Sequence, residues 1–201
     1  MKTIPLLTFL FMGSLLLTNC AEKQTAPTEA AETETTADAS AKTTPEDQVK
    51  RGEYLVHILG CNDCHSPKIM TAQGPTPDPK LLLSGHPASE QLAPIADKGV
   101  LKGYALFNMS LTAAIGPWGT NFAANLTPDE SGLANWTLEQ FGKALRQGKS
   151  KGMDNGRMLM PPMPWQNYVN MNDDDLVAIF AYLQSIPAVK NVVPAPVPPA
   201  G

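Results

Sequence analysis

The segment Cys61-Asn62-Asp63-Cys64-His65 carries the clearest chemistry in the chain. Two thiols three residues apart, followed at once by an imidazole, form the attachment pattern of a c-type haem. Each thiol adds across one porphyrin vinyl group, and the two intervening residues let one turn of chain span the neighbouring attachment points. An imidazole directly after the second thioether can then reach the iron from the proximal face. A redox or zinc dithiol would need a strand-helix-strand setting or a second pair of ligands. Only three cysteines occur in 201 residues, and the third, Cys20, closes an N-terminal apolar segment. One motif implies one haem c, with Cys61 and Cys64 as its covalent anchors and His65 as an axial ligand.

The other axial position decides whether such a haem carries electrons or binds small molecules. The candidates are the methionines, of which there are nine with the initiator, together with His57 and His86. Met163 stands out in Met160-Pro161-Pro162-Met163-Pro164-Trp165. Three prolines limit the loop's freedom before folding, which lowers the entropy lost in holding a thioether, a weak ligand, at the iron. Met160 and Met171 are the alternatives, and packing against porphyrin is the other use of a soft side chain. His57 precedes the motif on a helical pattern and is expected to point away from the distal side, as a surface or packing histidine. His86 lies on a long loop, where a lone histidine is expected to stay off the iron.

Three helices must position these groups. The first takes Thr44 as N-cap, Pro45 at its first position and Glu46 and Asp47 in its first turn, and runs to about Leu59 with Val49, Gly52, Leu55, Val56 and Leu59 inward. A glycine inside a helix costs about 1 kcal/mol relative to alanine, so Gly52 predicts close approach by another helix. The next helix opens on a Thr137/Gln140 capping box, turns Leu138, Phe141, Ala144 and Leu145 inward and closes at Gly148. The last is capped by Asn172, carries Asp173 to Asp175 in its first turn, presents Leu176, Ile179, Phe180 and Leu183, and stops before Pro187. Residues 66–125 are rich in Pro and Gly and lack helical period. There, alternation from Phe107 to Ala113 and the turn Gly116-Pro117-Trp118-Gly119 predict a short β-hairpin reaching about Ala124. A loop this long inside a compact domain is expected to wrap a ligand.

The chain divides into four parts. Residues 1–20 read as a secretory signal whose apolar run is too short to span a bilayer. Its last residue, Cys20, resembles the cysteine that becomes lipid-modified in bacterial lipoproteins, although Asn19 replaces the small residue usual before it. Residues 21–43 lack aromatic and large aliphatic side chains and read as a disordered tether with a reach of about 25 Å or more. Residues 44–187 form one domain, and residues 188–201 a Pro-rich tail.

On these residues the chain resembles a class I cytochrome c. Gly52, the Cys61-Cys64-His65 motif, the Met163 loop and a terminal helix with Phe180 and Tyr182 follow that family's order. It is also similar to the cytochrome c domains associated with bacterial membrane dehydrogenases for alcohols and sugar acids. The shared segments are Gly52-Glu53-Tyr54-Leu55-Val56, Asn125-Leu126-Thr127-Pro128-Asp129, Gly156-Arg157 and Pro162-Met163-Pro164-Trp165, so the likeness covers most of residues 50–187. The resemblance implies a mainly α fold, with three main helices around one covalently bound haem and a long loop insertion. It also implies that Trp136 donates its indole N–H to a haem propionate; a core tryptophan is the alternative. The stretch from His65 to Met163 is longer than in small class I members, and one haem motif stands where the dehydrogenase cytochrome subunits usually carry several.

Histidine opposite methionine keeps iron six-coordinate in both oxidation states and raises its potential, which suits electron transfer and not catalysis. The expected protein is therefore a periplasm-facing, lipid-anchored carrier of single electrons between dehydrogenase or terminal oxidase partners. A haem sensor or peroxidase-type enzyme with an open distal site is the competing class. A net charge of −4 and the lack of any recognition motif argue against nucleic acid. Lys143, Arg146, Lys149, Lys151 and Arg157 form a local basic run that could steer an acidic partner.

Overall fold

The computed structural model describes residues 44–199. The signal segment, Cys20 and the tether expected over 21–43 lie outside the described residues.

Helix α1 (Pro45–Ile58) begins where Thr44 and Asp47 satisfy each other's backbone N–H groups, as the capping residues require. It packs against the last helix, α4 (Asp173–Ser185), whose N-cap is Asn172. A β-carbon on Gly52 would sit 1.9 Å from the Ala178 carbonyl oxygen, so this crossing is a backbone-to-backbone contact that only glycine permits. Arg51 ties the same pair by donating to Asp175. Helix α3 (Leu138–Gln147) is framed by the Thr137/Gln140 box and by Gly148 at φ 65°. Leu55, Val56, Leu133, Phe141, Leu176, Ile179 and Leu183 make the core between these helices, and Phe180 closes on Phe141 with ring centroids 5.3 Å apart. Leu138, expected inward, is 37% exposed at the first position of α3.

A fourth, one-turn helix, α2 (Cys61–His65), follows α1 directly across Gly60, which sits at φ 69°. Two small antiparallel sheets occupy the long middle segment. Strands β1 (Lys68–Thr71) and β2 (Gly74–Pro77) form a hairpin that no alternation announced. Prolines in β2 are tolerated because a two-stranded ribbon has only edges. The second sheet has the order β3 (Leu106–Phe107), β4 (Ala113–Gly116), β5 (Gly119–Phe122).

The expected hairpin is therefore present at 113–122, but the alternation from Phe107 to Ala113 is not one strand. Asn108 Oδ1 accepts the Ala113 N–H and Leu111 N–H donates to the Asn108 carbonyl, so side-chain bonding diverts the backbone into a turn. Phe107, Met109 and Leu111 consequently remain exposed.

Residues 188–199, expected as a tail beyond the domain, lie against it. Asn191 donates through Nδ2 to the carbonyls of Ser84 and His86 and accepts from the Ala88 N–H. Val189 is bonded by Asn125 and Thr127, and Val197 exchanges both backbone hydrogen bonds with Thr120. Gly119 is obligatory beneath this segment: at φ 96°, a β-carbon there would meet the Val197 carbonyl oxygen at 2.1 Å.

Candidate functional site

Cys61 and Cys64 share the single turn of α2 and neither is in a disulfide. Burial pushes the Cys61 thiol up to about 11, and burial also raises Cys64, against the opposing pull of Lys68. Both sulfurs are thus protonated at neutral pH. A catalytic or redox dithiol needs the opposite shift, toward thiolate. Tyr168, buried at the end of the turn Trp165–Tyr168, has its phenol raised by burial, with the two thiols close enough to add to the effect.

His65 is oriented by the backbone. Its Nδ1 lies 2.8 Å from the Ala124 carbonyl oxygen, which can only accept, so Nδ1 carries the proton and Nε2 keeps its lone pair. Burial holds the imidazole below its ordinary pKa, and the Ala124 bond offsets part of that shift. A neutral ring with a fixed tautomer is what a metal-ligating histidine requires. The acceptor is itself held in place. Gly85 N–H donates to the His65 carbonyl, and its own absent β-carbon would lie 2.5 Å from the Ala123 carbonyl oxygen. Ser66, fully buried, donates to Asn62 and accepts from Leu83 N–H. Lys68 Nζ caps the carbonyls of Asp63, Ser66 and Ser110.

The methionine segment is built on the end of α3. Leu159 N–H donates to the Gly148 carbonyl at 2.7 Å, Ser150 N–H to Arg157, and Lys149 bridges Met158, so residues 148–159 fold back on themselves. The Trp165 ring lies 2.5 Å from where a Gly148 β-carbon would be. Asn121 on β5 then donates through Nδ2 to the carbonyls of both Met160 and Pro161, 3.3 Å each. Strand β5 and the two residues after it thereby hold the Met160–Met163 turn at Asn121 and His65 at Ala124. Met160 and Met163 are half-buried, while Met171 packs against the helical core.

The remaining expected residues fall as follows. Trp136 is half-buried against the core. His57 is exposed. His86 is fully buried, with Nδ1 2.9 Å from Thr112 Oγ1 and its ring 4.8 Å from that of Phe122. His86 Nε2 and Trp118 Nε1 are buried without a hydrogen-bond partner among the described residues. Sequence reasoning missed Ala124, Asn121 and Tyr168. Alanine carries no signal, and the other two act through contacts with residues 39 or more positions away in sequence. In the basic run, Lys143 is already paired with Glu139 and Asp154, and Arg146 with Asp173, which leaves Lys149, Lys151 and Arg157 as cations without an ion pair among the described residues.

The family description "Cytochrome c" matches residues 49–187. The chain belongs to the cytochrome c family. Haem c is accordingly its covalently bound cofactor, and the donor set of α2 fits that group: two protonated thiols free to add to vinyls and one available imidazole nitrogen. The cytochrome is 31% identical over 72% of its length to the cytochrome c subunit of a quinone alcohol dehydrogenase from Gluconobacter oxydans. It is 32% identical over 67% of its length to the gluconate 2-dehydrogenase cytochrome c subunit of Pantoea cypripedii. It is 40% identical over 39% of its length to one of the subunits of nicotinate dehydrogenase from Pseudomonas putida. The matched parts are 22%, 22% and 6% of those relatives, so the chain spans under a quarter of each.

Proposed function

We propose that this cytochrome is an exported, lipid-anchored carrier of single electrons, holding one haem between His65 and Met163 and exchanging electrons with a dehydrogenase or an oxidase-side protein. Cys61 and Cys64 supply the thioethers, His65 Nε2 the proximal ligand and Met163 sulfur the distal one. Trp136 is assigned to a propionate. Cys20 carries the lipid, and residues 21–43 serve as the tether. The haem supplies a reversible one-electron couple; the chain's own residues orient its ligands and keep water out.

The observation that carries the reading is the Nδ1 bond from His65 to Ala124, which leaves Nε2 as a pre-oriented ligand nitrogen. That β5 places Asn121 on the Met160-Pro161 turn supports the methionine assignment. With His65 and Met163 as its two ligands, a bound haem would supply a couple that changes oxidation state with little rearrangement.

The far-red absorption band of ferric haem with a thioether ligand tests the assignment. It should vanish in Met163→Ala and persist in Met160→Ala. Carbon monoxide should not bind the reduced wild-type protein at neutral pH; ready binding would instead assign an open-site sensor or peroxidase. Acyl mass on a mature N-terminus at Cys20 tests the anchor.

A further inference from the structure

A cavity of about 470 Å³ opens between the 3-10 turn Lys98–Lys102, the β4–β5 turn and the last described residues, and none of Cys61, Cys64, His65 or Met163 lines it. Its walls are mostly apolar and include Leu92, Ile95, Leu101, Ile115 and Val197. Among the described residues, the only charged ones in the lining are Lys98 and Lys102. Neither has an ion-pair partner among the described residues. In a chain with 19 acidic and 15 basic residues, a described lining that includes two lysines and no acidic residue is a charge pattern the composition does not supply by default. Two cations beside an apolar wall favour one class of guest: an anion whose body is hydrophobic.

The shape narrows the guest further. Val197 exchanges both backbone hydrogen bonds with Thr120, so the edge of β5 is occupied and an incoming peptide strand has no ladder to join. The concavity is of a size that takes a small ligand and not a protein surface.

We propose that this cavity binds one amphipathic organic carboxylate, its apolar chain or ring against Leu92, Ile95, Leu101 and Ile115 and its carboxylate between Lys98 and Lys102. None of the residues assigned to the haem, nor Met160 or Met171, lines the site, so the proposal does not depend on which residue is the distal ligand.

Calorimetric titration of the full-length, haem-loaded protein with decanoate tests it. Saturable one-to-one binding is expected, with decan-1-ol and acetate each binding at least about tenfold more weakly, since each lacks one half of the recognition. K98Q/K102Q, which alters only exposed side chains, should lose about tenfold in decanoate affinity while its haem spectrum and unfolding midpoint match the wild type. Absence of decanoate heat, equal affinity for decan-1-ol, or an unchanged affinity in K98Q/K102Q would overturn the proposal. So would association only with phosphatidylglycerol vesicles, because that outcome assigns the lysines to a membrane surface.

Discussion

Burial raises the thiols of both Cys61 and Cys64, the opposite of the shift that a reactive redox or catalytic cysteine uses. The same residue-scale reasoning applies to Gly52. Adding a β-carbon would gain about 1 kcal/mol of helix propensity but drive it into the Ala178 carbonyl. Gly52→Ala should therefore lose about 3 kcal/mol of stability in urea unfolding, as overpacked cores do. His86 gives a pH signature. Burial lowers its pKa, more than Glu90 raises it, so the folded state holds the ring neutral while the unfolded chain takes up a proton near its ordinary value. Its contribution to stability is then complete above about pH 6.5 and declines as pH falls from there toward the depressed folded value. Stability measured between about pH 6.5 and 5 should slope more gently in His86→Gln than in wild type, whatever the offset between them.

At the scale of elements, β5 is the frame of the site, since one short stretch secures both the Ala124 acceptor and the Asn121 donor. Asn121→Ala removes two hydrogen bonds from the methionine turn. Neutral bonds are worth about 1 kcal/mol each, so under the proposed His65/Met163 ligation added imidazole should displace the methionine about fivefold or more readily. Titration of the far-red band measures this, with the band in the ligand-free variant as reference. The C-terminal segment acts on the same frame, because Asn191 holds the Ser84–His86 loop and Val197 closes the β5 edge. A chain ending at Pro187 should lose about 3 kcal/mol in denaturant, the net of several bonds less the ordering they require.

At the scale of the whole molecule, charge is distributed unevenly. The pairs Lys143–Asp154 and Arg146–Asp173 neutralise two cations of what reads in sequence as one basic face, so any steering of an acidic partner falls to Lys149, Lys151 and Arg157. Reversing Lys149 and Lys151 to Glu should slow electron exchange with such a partner severalfold at low salt, with the difference fading as ionic strength passes about 0.1 M and the Debye length shrinks to about 10 Å. Stopped-flow rates across a salt series measure it. The three main helices were legible because caps, first-turn acids and apolar stripes act over a few residues. The middle of the chain was not, because β1 and β2 show no alternation and the Phe107–Ala113 alternation was broken by one asparagine side chain.

The covalent chemistry of this protein was written in its sequence, since thiol spacing and the adjacent imidazole depend on neighbours along the chain. So was the requirement for glycine at position 52, though not the identity of Ala178 as the reason. Tertiary structure alone decided which carbonyl fixes the His65 tautomer, which amide holds the methionine turn and where residues 188–199 lie. Each is a hydrogen bond between residues 39 or more positions apart, and each acceptor is a backbone carbonyl that any residue type carries, so the partner could not be announced in advance.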